Sequence, residues 1–192
     1  MRLRRSIRRY TDQAVPRDVL ERLLEAARWG PSAHNRQPWR FAVITDPARR
    51  AALAQAMGKR FRRDLQADGL PPEAIAQQVQ RSIDRISTAP AILLVFVSMA
   101  DMDQYPDEHR QTAERTMAVQ SVALAAQNVL LLAHAEGLGA CWLCAPLFCP
   151  DVVRAELGLP ADWEAQALIT IGYPAEDHIR DREPIETKTK WF

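Results

Sequence analysis

Residues 89–98, APAILLVFVS, form an apolar run rich in branched side chains with no polar interruption before Ser98. A half-exposed strand alternates, so this pattern predicts a strand buried on both faces, in the middle of a sheet. The chain can afford such a strand: its 192 residues are 47% hydrophobic, enough for a sizeable core in one domain.

The flanking segments read as a succession of helices and strands. VPRDVLERLLEAARWG has Pro16 near its start, Val19, Leu20, Leu23, Leu24, Ala26 and Ala27 at helical spacing, and Gly30 as a stop. WRFAVIT alternates Trp39, Phe41 and Val43 with Arg40 and Ala42 and predicts a strand with the aromatics turned inward, followed by a helix ending at Gly58. Residues 61–87 are charged and Gln-rich and broken by GLPP; the second piece, with Ile75, Val79, Ile83 and Ile86, predicts a surface-exposed helix or lid. From about Arg110 to Glu136 no Gly or Pro interrupts an apolar helix that must be covered on most sides, by its own domain or by a second copy. ACWL and AQALITIGYP predict two more strands around a helical PDVVRAELG, and the tail ends in two aromatics as an arm that docks elsewhere. No repeat or linker divides the chain, so residues 1–192 read as a single α+β domain, with 61–88 as a lid or insertion.

Several chemistries lose their usual anchors. GLG at Gly137 ends a helix instead of opening one, and no third glycine follows, so a Rossmann fingerprint is unsupported. There is no G-x-S-x-G elbow, no phosphate loop and no H-E-x-x-H. Cys141 and Cys144 form one C-x-x-C between apolar neighbours, which favours buried small residues over a metal pair. Three cysteines make no disulfide framework, no signal peptide is visible, and the apolar run VALAAQNVLLLAHA is too short and polar to span a bilayer; a cytoplasmic protein without membrane attachment is expected.

Net charge is only +1, yet MRLRRSIRRY gathers Arg2, Arg4, Arg5, Arg8 and Arg9 around Ser6. A solvated basic arm would account for this. A phosphate site would use Arg4, Ser6 and Arg8, which share one side of an extended segment, leaving Arg5 and Arg9 to face elsewhere. A nucleic-acid arm would need a further basic helix or stacking strip, which the chain lacks. The loop GPSAHNRQPWRF poses a second question: Gly30, Pro31 and Ser32 suffice for a helix stop and turn, and Asn35, Gln37 and Trp39 are surplus.

RRSIRRY, PSAHNRQPWRF, the long apolar helix ending in EGLGACWL, then IGYP and REPIE, in this order and spacing, resemble the nitroreductase family of FMN-dependent oxidoreductases nearly end to end. The resemblance implies a three-layer sandwich with a central mixed sheet, an intertwined homodimer, and two non-covalent FMN molecules at the dimer interface. It implies that Arg4, Arg5, Ser6 and Arg8 contact the FMN phosphate and ribityl chain, with Arg182 on the phosphate. Pro31, Ser32, Asn35 and Gln37 would reach the flavin from the partner subunit, where amides suit a pyrimidine edge of alternating donors and acceptors. Ala145, Pro146 and Leu147 would face N5; Pro146 has no N–H, so the donor is Ala145 or Leu147.

The implied reaction passes hydride from NADH or NADPH through flavin N5 to a small-molecule electron acceptor such as a nitroaromatic or quinone, with no acid, base or metal named. GLGACWL and PDVVRAELGLPADWEAQALITIGYP, residues 137–143 and 150–174, also resemble the flavin domain attached to a deazaflavin-coenzyme ligase, so reduction of a dehydro precursor in that maturation is an alternative. A flavin-binding module without turnover is another.

Overall fold

The protein is described by a computed structural model covering residues 2–177 and 181–192. Helix α1 spans Arg17–Arg28, strand β1 Trp39–Ile44, helix α2 Pro47–Ala67, helix α3 Pro72–Ser87 and strand β2 Ala91–Val97. Helix α4 spans Glu108–Ala135, β3 Gly139–Leu143, helix α5 Pro150–Leu157 and β4 Glu164–Gly172. The sheet order is β1-β2-β4-β3, and all its ladders are antiparallel. The resemblance implied a mixed sheet; the parallel pairing among the described residues is a single bridge, Ser6 to Ala140, outside the four strands.

β2 is the central strand the sequence called for, with all seven residues buried. Alternation sorts its side chains between two cores. Ala91, Leu93, Val95 and Val97 join Trp39, Ala167, Ile169 and Ile171 against α1 and α4. Ile92, Leu94 and Phe96 join Ile44 and Leu168 against α2, α3 and α5. A bulge at Gln166 lies between the Val95–Ala167 and Phe96–Ala165 pairs. The architecture is a three-layer α+β sandwich, with Trp39 buried and Phe41 packed beside it as the strand pattern predicts.

Two expectations are corrected. α2 does not stop at Gly58 but runs on to Ala67. A side chain at Gly58 would place its Cβ 2.8 Å from Ile83 Cδ1, so this glycine permits close helix packing and ends nothing. The segment read as surface-exposed is the outer half of a helical hairpin whose Ile75, Val79, Ile83 and Ile86 are core residues.

α4 crosses the molecule against α1 and the sheet. At 28 residues and a mean hydropathy of 1.5 over its apolar part, it is long and apolar enough to cross a bilayer by length and composition. Its Val122, Ala125, Ala126 and Val129 instead fill the first core. Gly30 lets the end of α1 approach closely, since a Cβ there would lie 2.9 Å from Ala125 Cα. Asn128, a polar interruption in the apolar run, donates to Ala26 O at 3.0 Å and satisfies a carbonyl at the end of α1.

Candidate cofactor site

The N-terminal arm lies along the free edge of β3. Ile7 turns inward, 9% exposed, and its N–H donates to Ala140 O at 3.1 Å. Gly139 makes room: a Cβ there would lie 2.7 Å from Ile7 Cγ2. Further along, Thr11 N–H donates to Tyr173 O at 2.9 Å and Ala175 N–H to Arg9 O at 3.0 Å. The Tyr10 hydroxyl donates to Ile7 O at 2.5 Å and shares a hydrogen bond with the Thr170 hydroxyl at 2.7 Å. Burial raises its pKa well above the ordinary tyrosine range, although the Thr170 hydrogen bond opposes the rise.

With Ile7 pinned inward, Ser6 pairs with Ala140 in a parallel bridge and Arg8 Nη1 donates to Ser6 O at 3.1 Å. Burial raises the Cys141 thiol, while Arg8, Arg85, a hydrogen bond with Ser6, and Arg4 all pull it down. Arg8 and Arg85 of α3 line one cavity, and Arg4 lines another.

Two basic cavities flank this point. One, of about 840 Å³, is lined by Arg8 and Arg9 with Gln77, Gln80, Arg81 and Arg85 of α3, together with Asp84, Thr88 and Glu176. Glu176 Oε1 accepts from the Arg8 N–H at 2.7 Å. The other, of about 870 Å³, is lined by Arg2, Leu3, Arg4, Arg5, Asp181 and Arg182, with Gln127 and Leu131 of α4. Arg5 therefore shares a cavity with Arg4 instead of facing away from it. Arg5 Nη1 donates to Arg4 O at 2.8 Å, while its buried Nε has no partner among the described residues. The four α3 side chains were absent from the sequence reading. Their signal was helical spacing on the face opposite Ile75, Val79 and Ile83, a pattern that on its own describes any solvated face.

Pro31–Gln37 forms a tight turn against the middle of α4. Ser32 organises it: Ser32 O accepts from Asn35 N–H at 3.0 Å and Ser32 Oγ accepts from Gln37 N–H at 3.1 Å. His34, Asn35 and Gln37 have φ of 51°, 54° and 51°, left-handed values that Asn tolerates and longer side chains rarely adopt. Pro31, Asn35 and Gln37 are exposed. Ala33 N–H donates to Ser121 Oγ at 3.3 Å, whereas the arm lies by His134. The arm also lines a cavity with Gln127 and Leu131, so along α4 its contacts begin about 9 Å from Ser121 and extend to about 20 Å. Within one chain, then, the loop and the arm stand at separate places.

After β3, Ala145–Phe148 makes one turn of 3-10 helix. Leu147 N–H donates within it to Cys144 O at 3.0 Å, and Pro146 is buried. Ala145 N–H has no acceptor among the described residues and is the unspent donor of the three. The C-x-x-C splits: Cys141 is buried, as expected, but Cys144 is exposed and accepts from Trp142 Nε1 at 3.2 Å.

The model of the Nitroreductase family matches residues 1–173. An NADH dehydrogenase of Thermus thermophilus is 32% identical, over 98% of this chain and 92% of that protein. A 5,6-dimethylbenzimidazole synthase of Rhodospirillum rubrum is also 32% identical, over 91% of this chain and 80% of its own length. Among solved structures, a nitroreductase-like protein in complex with FMN from Desulfovibrio desulfuricans superposes with a TM-score of 0.74 and 31% identity, covering 98% of this chain and 91% of that one. The match spans the arm, the loop and all four strands: this chain belongs to the nitroreductase family.

Proposed function

We propose that the chain is a cytoplasmic, homodimeric FMN-dependent oxidoreductase that passes hydride from NADH or NADPH to a small oxidised acceptor such as a nitroaromatic or quinone. The observation that carries this reading is the cavity in which Arg8 and Arg9 of the arm face Gln77, Gln80, Arg81 and Arg85 of α3, beside a second one lined by Arg4, Arg5 and Arg182. The residues fit FMN on both counts that matter. The orphaned, buried Arg5 Nε calls for an acceptor, and Arg4, Arg5 and Arg182 together can neutralise a phosphate dianion. Gln77 and Gln80 can each donate or accept toward a flavin's polar edge, beside the positive charges of Arg8 and Arg81.

Bound there, FMN supplies hydride acceptance and release at N5. The chain's own residues hold and orient it. Arg4, Arg5 and Arg182 anchor the phosphate end, and Ser6 and Arg8 continue along the arm toward α3. Ala145 offers a free N–H on the turn after β3, which Pro146 stiffens and Leu147 closes. Pro31, Ser32, Asn35 and Gln37 serve the partner's site, as the resemblance implies; in its own chain the loop lines a shallow pocket with Met117 to Leu124 of α4, and the arm's cavities meet α4 from Gln127 to His134. α4 supports the same view: Ala113, Met117, Gln120, Leu124, Gln127 and Leu131 line up on its outer side, exposed or half-buried and without a charge. Ile185, Trp191 and Phe192 are likewise exposed and suited to a second copy.

The test is an absorption spectrum of the purified protein, then anaerobic NADH and NADPH, then a quinone. Flavin bands that bleach with a nicotinamide and recover with the quinone are expected. A colourless protein that takes up no FMN refutes the reading, and flavin that never bleaches leaves only the module without turnover. The 5,6-dimethylbenzimidazole synthase relative supports a second reading, synthesis of that compound, which product analysis of the same incubation separates: no 5,6-dimethylbenzimidazole is expected at the end.

A further inference from the structure

Glu114, on the second turn of α4, is fully buried, 0% exposed. Its Oε1 accepts from Asp103 N–H at 3.2 Å, and its Oε2 has no partner among the described residues. An incompletely satisfied carboxyl in an apolar core is costly, and a methionine or leucine of similar length would serve the packing better. Its presence calls for something that an apolar side chain cannot do.

The contacts beyond Asp103 indicate what that is. The Asp103 carboxylate holds the Arg36 guanidinium, and Asp101 Oδ2 holds Arg40 Nη2 at 2.6 Å. Arg40 Nη1 in turn donates to Gln37 O at 3.3 Å and Trp39 O at 3.0 Å. Arg36 and Arg40 bracket Gln37, in the segment where three side-chain-bearing residues hold left-handed backbone. Such a conformation persists only where its surroundings over-determine it. The 98–103 segment supplies that constraint, and Glu114 fixes it from inside the core.

We propose that Glu114 is a positioning residue for the Pro31–Gln37 loop, acting through Asp103 and Arg36. It touches neither cofactor nor substrate. The inference rests on the reading of that loop as a flavin contact, and it extends that reading to a residue on another element.

The test compares Glu114→Gln, which keeps an acceptor oxygen, with Glu114→Met, which does not. Leu53→Ala, a core variant in the opposite layer, controls for destabilisation. Two readouts are taken on the full-length protein: the FMN dissociation constant, and hydrogen exchange of the 31–40 backbone without flavin. Glu114→Met is expected to weaken FMN binding about tenfold and to speed exchange in the loop about tenfold, with Glu114→Gln within about twofold of wild type on both. Adding Arg36→Gln to Glu114→Met is expected to cost no more than the worse single change, since both cut one path. Loop exchange no faster than in Leu53→Ala, or fully additive losses, overturns the inference. Wild-type protein that binds no FMN refutes the flavin reading instead, and the exchange measurement still decides the role of Glu114.

Discussion

His34, Asn35 and Gln37 each pay the cost of a left-handed backbone, of order 1–3 kcal/mol for a residue outside its favoured region. Asn eases that cost with a short polar side chain; His34, exposed, gains nothing visible in return. His34→Gly is therefore expected to raise stability by about 0.5–1 kcal/mol, after allowing for the extra freedom of glycine when unfolded, with FMN affinity unchanged. Urea denaturation and flavin titration check both parts. Cys149 makes a second residue-level prediction. Burial pushes its thiol from 9.0 up to about 11, against the opposing charge of Arg60 and with Asp151 and Asp64 adding to the rise. A raised thiol pKa favours the folded state while the thiol stays protonated, so its stabilisation is complete below pH 9 and is lost as pH climbs toward 11. The denaturation midpoint of Cys149→Ala should fall less steeply than that of wild type over that interval. The amides Asn35 and Gln37 could be picked out from sequence because a helix-to-strand connection does not need them. Their left-handed backbone could not, since neither His nor Gln signals it and the restraint comes from Asp101 and Asp103, over sixty positions away.

Among the elements, the arm depends on a single missing methyl group. Gly139→Ala would drive a Cβ into the buried, β-branched Ile7, with backbone on the other side. A loss of about 1–3 kcal/mol is expected, together with release of FMN, as Ile7 lifts and carries Ser6 and Arg8 away from Arg85. Retained flavin after gel filtration of this variant would detach the arm from the site. The sequence disclosed the arm's arginines and their alternation, and it disclosed α1, β1, β2 and α4 through periodicities of 3.6 and 2. It misplaced the end of α2 because a glycine in a helical pattern serves equally as a stop or as a point of close approach, and Ile83, which decides between them, arrives 25 residues later. The hairpin's polar face went unread for a similar reason: Gln77, Arg81 and Arg85 line a cavity only because the fold brings Arg8 opposite them.

At the scale of the whole molecule, the outer stripe of α4 is exposed or half-buried and uncharged. Placing a charge at its centre with Leu124→Glu should leave the monomer's unfolding free energy within about 0.5 kcal/mol, because Leu124 is 46% exposed and bonded to nothing. It should halve the mass seen by light scattering and abolish flavin retention, since each site would lose the loop from the other chain. A monomer that still holds FMN would confine the site to one subunit. The sequence announced that the long helix must be covered on most sides, by its own domain or by a second copy, without saying which residues would meet which cover.

The position of β4 in the sheet has a consequence for the chain as it is made. β4 lies between β2 and β3 and is the last of the four strands, so until residues 164–172 leave the ribosome β2 has one strand neighbour and β3 has only the arm's contact at Ala140. A nascent chain that already includes α4 must therefore hold two long apolar edges open, the condition in which chaperones engage and premature release leads to aggregation. The arm's own seat, on Ala140 and Pro174, closes at the same late moment. No part of the ribosome-bound protein can capture cofactor early, and a chain truncated before β4 would be both unfolded and colourless.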